Sequence, residues 1–234
     1  MSALGDRLQV VWLAAIVIAV GAAAGFACSS RFAGTRTIVF IYGGVTVALA
    51  LVAAWRAWKD EELAQWLRPA GLDITRGCFA GWFLLAGAYL FSKVLLAPDS
   101  PRAGWLARFY LQLGDPSVLR ERMTFVSIAI CVVAVAEEIL WRGLVVTLLT
   151  ELVGSRRAWL YAAVLYALAH VPTAFALADP KAGLNPLVVI AAFGCGLVWS
   201  ALVRWTGRLV PSIVSHALFA WFVVMMFRLW GTSV

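Results

Sequence analysis

Five stretches of the chain, residues 8–28, 37–55, 158–178, 182–203 and 209–227, contain no Asp, Glu, Lys or Arg. Each is close to the ~20 residues that a helix needs to cross the hydrocarbon of a bilayer. With no water there to satisfy the backbone, such a run folds as a helix whose hydrogen bonds are internal. Composition agrees: the chain is 63% hydrophobic and 13% charged, against roughly 25% charged residues in a soluble domain. The first run, 21 residues long, exceeds the ~7–15-residue core of a secretory signal and is followed by further spans. It is therefore read as a span, and no extended soluble tail is expected after the last one. The expected fold is all-α, a polytopic transmembrane helical bundle.

The hydropathy pattern predicts about seven spans, with an eighth segment possible: about 8–28, 37–55, 77–97, 124–150, 158–178, 186–204 and 209–230. After the second span, WRAWKDEELAQWLRPAGLDITRG is balanced in charge and punctuated by Pro69 and Gly71, which predicts an interfacial turn or short helix. Lys93, near the end of the third span, can snorkel to the interface. Residues 98–123 are the most polar part, and Pro98, Pro101 and Pro116 break any continuous helix there. Between them RAGWLARFYLQL is basic on one side and aromatic on the other, a pattern that predicts a helix lying flat on the membrane. The chain divides into N-terminal membrane helices plus this interfacial segment (1–120) and a helical core (121–234), with no internal repeat.

A net charge of +7 does not imply nucleic acid, because the basic residues lie in short loops where they set membrane orientation. One face would carry Arg56, Lys59, Arg68, Arg76, Arg156, Arg157, Arg204 and Arg208. The other would carry Arg31, Arg36, Arg102, Arg108, Arg120 and Arg122. Eight against six leaves the orientation open. Trp12, Trp55, Trp58, Trp105 and Trp230 sit near run ends, as interfacial anchors do. The four cysteines lack CxxC spacing and read as packing residues.

Within the fourth predicted span stands AVAEEILWRG. Glu137 and Glu138 lie about 13 residues in, on the order of 20 Å at 1.5 Å per residue. An ionisable group at that depth costs roughly 2.5–3.5 kcal/mol on insertion scales and so faces the bundle interior and meets partners. Glu138 and Arg142, four apart, can pair along one helix face. Glu137 lies about 100° round the helix and needs another partner. The only two histidines, His170 and His216, fall inside two further spans. Two imidazoles and an uncommitted carboxylate can hold a water, remove its proton and donate to an oxyanion. Blander readings stand beside this one: a structural ion pair for Glu138 and Arg142, and interhelical hydrogen bonding for a lone histidine. One Glu and two His can also ligate zinc, although no HExxH is present.

These residues resemble the motifs of the CPBP family of intramembrane endopeptidases, which includes the CAAX prenyl proteases and many bacterial members. The family's EExxxR resembles Glu137-Glu138-Ile-Leu-Trp-Arg142, and its FxxxH resembles Tyr166-Ala-Leu-Ala-His170. Its histidine followed four residues later by Asn or Asp resembles His216-Ala-Leu-Phe-Ala220. The resemblance covers roughly residues 120–230, and the first third matches only as extra membrane helices. It implies a glutamate protease without a cofactor, in which Glu137 is the general base, His170 helps to hold the water and His216 stabilises the oxyanion. Glu138, Arg142 and Tyr166 would support the site. The implied substrate is a membrane-anchored or membrane-spanning protein, cleaved near its C-terminus in some members, and the implied setting is a bacterial cytoplasmic membrane. The resemblance leaves the oligomeric state open.

Two positions depart from the family pattern. Tyr166 replaces Phe and brings a hydroxyl that needs a buried partner. Ala220 removes a polar side chain beside His216, and losing one oxyanion donor has cost ~10²–10³ in rate in a soluble protease. Ser215, Thr173 and Asn185 are candidates to replace it. The alternatives to an enzyme are a non-catalytic scaffold or chaperone, and a transporter using Glu137 and His170 as a proton relay.

Overall fold

The structure, a computed structural model, describes residues 3–97 and 99–226. Pro98 and Trp230, and the expected end of the seventh span, lie outside the described residues. Six helical segments are long and apolar enough to cross a membrane: Gly5–Ala27, Val39–Lys59, Asp73–Leu95, Met123–Val153, Ser155–Ala176 and Leu187–Thr206. Val210–Met226 is a shorter apolar helix. No strand occurs among the described residues, where a single antiparallel bridge joins Asp179 and Gly183. The chain is an integral membrane protein, a helical bundle of about seven spans.

The helices are α1 (Ala3–Ala27), α2 (Gly44–Lys59), α3 (Leu63–Leu67), α4 (Asp73–Leu95), α5 (Ala103–Leu113), α6 (Pro116–Glu121) and α7 (Met123–Glu138). After them come α8 (Val146–Val153), α9 (Ser155–Ala169), α10 (Val171–Ala176), α11 (Leu187–Thr206) and α12 (Val210–Trp221). Three π-helical segments are set into the spans: Val39–Gly43 leads into α2, Ile139–Val145 joins α7 to α8, and Phe222–Met226 extends α12. A π turn lets one extra residue into the helix and re-aims the side chains around it, which is why such turns gather at functional sites. The third span starts at Asp73 rather than near 77. Its first-turn carboxylate accepts from Ala70 N at 2.9 Å and from Arg208 Nε and Nη2 at 2.8 and 2.9 Å, so the charge is satisfied where the helix begins.

Helix α4 packs along α12, α11 along α9, and α1 against α9 and α10. Gly21 and Gly25, one turn apart on α1, permit the last of these contacts. A Cβ at position 25 would come within 2.7 Å of Pro172 Cβ, and one at 21 within 3.2 Å of the Ala169 carbonyl. Small residues four apart bring helices close where lipid supplies no hydrophobic drive. The ring of Pro172 cannot donate to the preceding turn, and the fifth span breaks at His170, between α9 and α10. The centre of the bundle holds Trp141, Leu140, Val145, Leu148, Trp199 and Tyr166, all buried.

The segment expected to lie flat docks onto the bundle. Along α5, Gln112 is buried and donates to the Ala27 carbonyl at 2.9 Å, while the Trp105 carbonyl accepts from Asn185 Nδ2 at 2.9 Å. The end of α1 and the loop before α11 offer polar groups that α5 pairs with. On the opposite face, Gln9 donates to Glu151, Arg56 Nη2 lies 3.6 Å from Glu151, and Arg204 Nη1 donates to the Arg156 carbonyl at 2.9 Å. The basic loops are grouped by face as the sequence predicts.

Candidate active site

Glu137 and Glu138 end α7 where the α-helical register gives way to the π turn, and both are buried, at 4% and 0% exposure. They face different company. Glu138 Oε1 accepts from Arg142 Nη1 at 3.0 Å, the pair foreseen from their spacing, and lies 2.9 Å from His216 Nδ1. The Arg142 guanidinium sits 4.6 Å from the Tyr166 ring centroid and 5.1 Å from that of Trp199, cation–π contacts that accommodate its remaining face. Trp199 also stacks on His216, with centroids 3.8 Å apart and planes at 16°, and anchors itself by donating from Nε1 to Ser215 Oγ at 3.0 Å. The His216 ring is held on one face by an indole and at Nδ1 by a carboxylate. Its Nε2 points at Glu137 Oε2, 3.9 Å away.

Glu137 meets phenols instead of cations. Tyr166 donates to Oε2 at 2.5 Å and Tyr42 donates to Oε1 at 2.7 Å. The hydroxyl of Tyr166 therefore has the buried partner that its replacement of Phe demands. His170, at the break in the fifth span, places Nδ1 2.8 Å from the Tyr166 carbonyl and Nε2 3.3 Å from the Tyr42 hydroxyl. A carbonyl only accepts, so Nδ1 carries a proton and Nε2 of the neutral ring is the acceptor.

All six residues singled out in the sequence, Glu137, Glu138, Arg142, Tyr166, His170 and His216, converge from two spans and the α12 helix into one enclosed cluster. Two members were not foreseen. Tyr42 comes from the first third of the chain, which motif comparison treats only as extra helices. Its one sequence signal is a hydroxyl inside an uncharged run, directly before Gly43-Gly44. Trp199 gives no signal among twelve tryptophans.

The side chains considered as substitutes for a polar residue at 220 all have other partners. Ser215 Oγ takes the Trp199 bond, Thr173 donates to the His170 carbonyl at 2.7 Å, and Asn185 spends its amide on Trp105 and Leu177. The zinc option also finds no ligand set, since no group of three or more His, Cys, Asp or Glu among the described residues could hold a metal ion. The two imidazoles have nitrogens committed to Tyr166 and Glu138.

A bundle of apolar helices that encloses carboxylates, imidazoles and phenols in hydrogen-bonded contact defines a membrane protein with a built interior site. Residues 120–222 match the Rce1-like family, type II CAAX prenyl endopeptidase. The matched segment holds every site residue except Tyr42, and the match supports a relationship to the CPBP/CAAX proteases, a family of peptide hydrolases. No curated protein and no solved structure matches the chain.

Proposed function

We propose that the protein is a glutamate-type intramembrane endopeptidase that cleaves a membrane-anchored or membrane-spanning protein near its C-terminus. Its proposed setting is a bacterial cytoplasmic membrane. The reading is carried by one observation: a buried carboxylate without a cation of its own, Glu137, faces one imidazole at 3.9 Å and reaches the other through a single hydroxyl.

In this reading a water lies between Glu137 and His170. Glu137 takes its proton, and the hydroxide adds to the scissile carbonyl. Negative charge then develops on the carbonyl oxygen beside His216 Nε2. With Nδ1–H directed at Glu138, the His216 ring can carry a second proton on Nε2 and donate it as a hydrogen bond, with Glu138 as its counter-ion. Glu138 acts here as the carboxylate that orients a histidine does in a triad. Arg142 holds Glu138, and Trp199 holds the ring. Collapse of the intermediate breaks the C–N bond, and the proton held by Glu137, or one from His170, goes to the leaving amine.

Ala220, one turn beyond His216, supports a second reading in which a degenerate member acts as a scaffold or chaperone. One experiment separates the two. Membranes from cells carrying the wild-type protein or E137Q at equal abundance are compared by terminal proteomics. Gln keeps the shape but cannot act as a base, so termini near membrane segments that are missing with E137Q establish the protease. Identical profiles from two well-folded proteins establish the scaffold.

A further inference from the structure

The proposed mechanism needs an oxygen within hydrogen-bond reach of both Glu137 and His170. An oxygen already stands there: the Tyr42 hydroxyl, 2.7 Å from Glu137 Oε1 and 3.3 Å from His170 Nε2. Hydrogen-bonded oxygens come no closer than about 2.5 Å, so a water and this hydroxyl cannot share the position. We propose that Tyr42 is an internal gate whose hydroxyl occupies the place of the attacking water, and that substrate binding displaces it to admit that water. The inference rests on the hydrolytic reading of the same site.

The proton inventory gives the displacement a direction. His170 Nδ1 is committed to the Tyr166 carbonyl, so Nε2 of the neutral ring offers a lone pair. A phenol has one proton, and the shorter contact assigns it to Glu137. Tyr42 thus covers His170 Nε2 without bonding to it. Water has two protons and can satisfy both groups at once, so the exchange gains a hydrogen bond that the closed arrangement lacks.

The position of Tyr42 suits the role. Its hydroxyl is buried in the site while the residue as a whole is only half-buried, so it forms the wall between site and exterior. It lies three residues after the start of its span at Val39, roughly 5 Å in at 1.5 Å per residue. It belongs to a π turn followed by Gly43 and Gly44, and at Gly44 a Cβ would meet nothing within 4 Å. On the same membrane face a cavity of about 450 Å³ opens beneath α5, lined by Gln112, Ala176 and Leu177 among others, at the end of the helix that begins after His170. The other members of the site are closed off, with Glu137 4%, Tyr166 4%, His170 7% and His216 7% exposed.

The test reads His170 directly, using diethyl pyrocarbonate on the full-length protein in nanodiscs. The chain has only two histidines, so mass spectrometry of the two peptides gives each rate, and His216 serves as the internal reference. Y42F removes one oxygen and leaves room for a water in its place. The gate predicts His170 labelling at least about 5-fold faster in Y42F, the factor that one net hydrogen bond sets, with His216 unchanged. Equal His170 rates in the two proteins would overturn it. If Y42F does not fold, Y42L, which removes the hydroxyl and the tip of the ring, is measured instead with the same expectation. Where the E137Q comparison has yielded cleavage products, Y42F must form them faster than wild type, and slower formation also overturns the gate. Faster labelling with no cleavage products in any variant would leave Tyr42 as a cover over His170 but would remove the protease and, with it, the gate.

Discussion

Glu137 and Glu138 are neighbours in sequence, equally deep in the membrane and equally hidden, yet their surroundings are opposite. Glu138 is wired to charge: Arg142 at 3.0 Å and His216 at 2.9 Å both address its Oε1. Glu137 is wired to neutral donors, the hydroxyls of Tyr42 and Tyr166. A carboxylate paired with a buried guanidinium is spoken for, because taking up a proton would leave buried positive charge uncompensated. A carboxylate held by phenols can exchange a proton without breaking an ion pair. In the proposed reading, the step of about 100° between consecutive helical residues separates a structural acid from a chemical one.

The largest effect that would break this comparison is on the structural side. E138A leaves Arg142 buried without its counter-charge, and a lost partner of this kind costs about 3–5 kcal/mol. The expected outcome is little folded protein by fluorescence-detected size exclusion. Normal yield would mean that Glu138 is not the keystone of the cluster.

If cation pairing marks a structural acid, Asp73 should behave in the same way at the opposite end of the bundle. It is fully buried and is held by Arg208 at 2.8 and 2.9 Å, with Arg76 at 3.7 Å as a weaker second partner. R208A is therefore expected to destabilise the protein, by less than E138A because Arg208 is part-exposed, read as a drop in thermal midpoint.

On the phenol side the effects are smaller. Y166F removes one hydrogen bond to Glu137 and restores the ring that the family motif carries there. The expected cost is about 1 kcal/mol of stability with turnover retained, and loss of turnover would show the Tyr166 hydroxyl to be part of the chemistry. Smallest of all is an exposed acid outside the spans. Asp179 accepts from the backbone of Ala182 and Lys181 at 2.9 Å, and these bonds hold its carboxyl below the usual carboxylate range. Because its pKa is lower folded than unfolded, its stabilisation is complete above about pH 4 and is lost only as pH falls further. Melting between pH 7 and 5 should therefore show no pH dependence from this loop, and the offset of D179N from wild type should stay constant across that range.

Much of this was legible in the sequence, for a physical reason. Charge is so costly in hydrocarbon that Glu137, Glu138, Arg142, His170 and His216 stood out without any coordinates. The spans were legible because they must be apolar throughout. Tyr42 and Trp199 were not, because aromatic side chains with one polar atom are common in membrane proteins and carry no such penalty. Nor does composition reveal the π turns that aim Tyr42 and Arg142 into the site. The docking of α5 escaped because its amphipathic pattern suits a membrane surface as well as the end of a bundle. Ala220 was legible as a departure, but only the structure shows the partners of Ser215, Thr173 and Asn185.

The most direct test of the division between the two glutamates is a paired thermal melt of E137Q and E138Q, purified alongside wild type and followed by intrinsic tryptophan fluorescence. The account predicts that E137Q melts close to wild type, since an amide can accept from one phenol and donate to the oxygen of the other, while E138Q melts well below it. Equal melting of the two variants, or an E137Q protein less stable than E138Q, would contradict the assignment of one glutamate to structure and the other to chemistry.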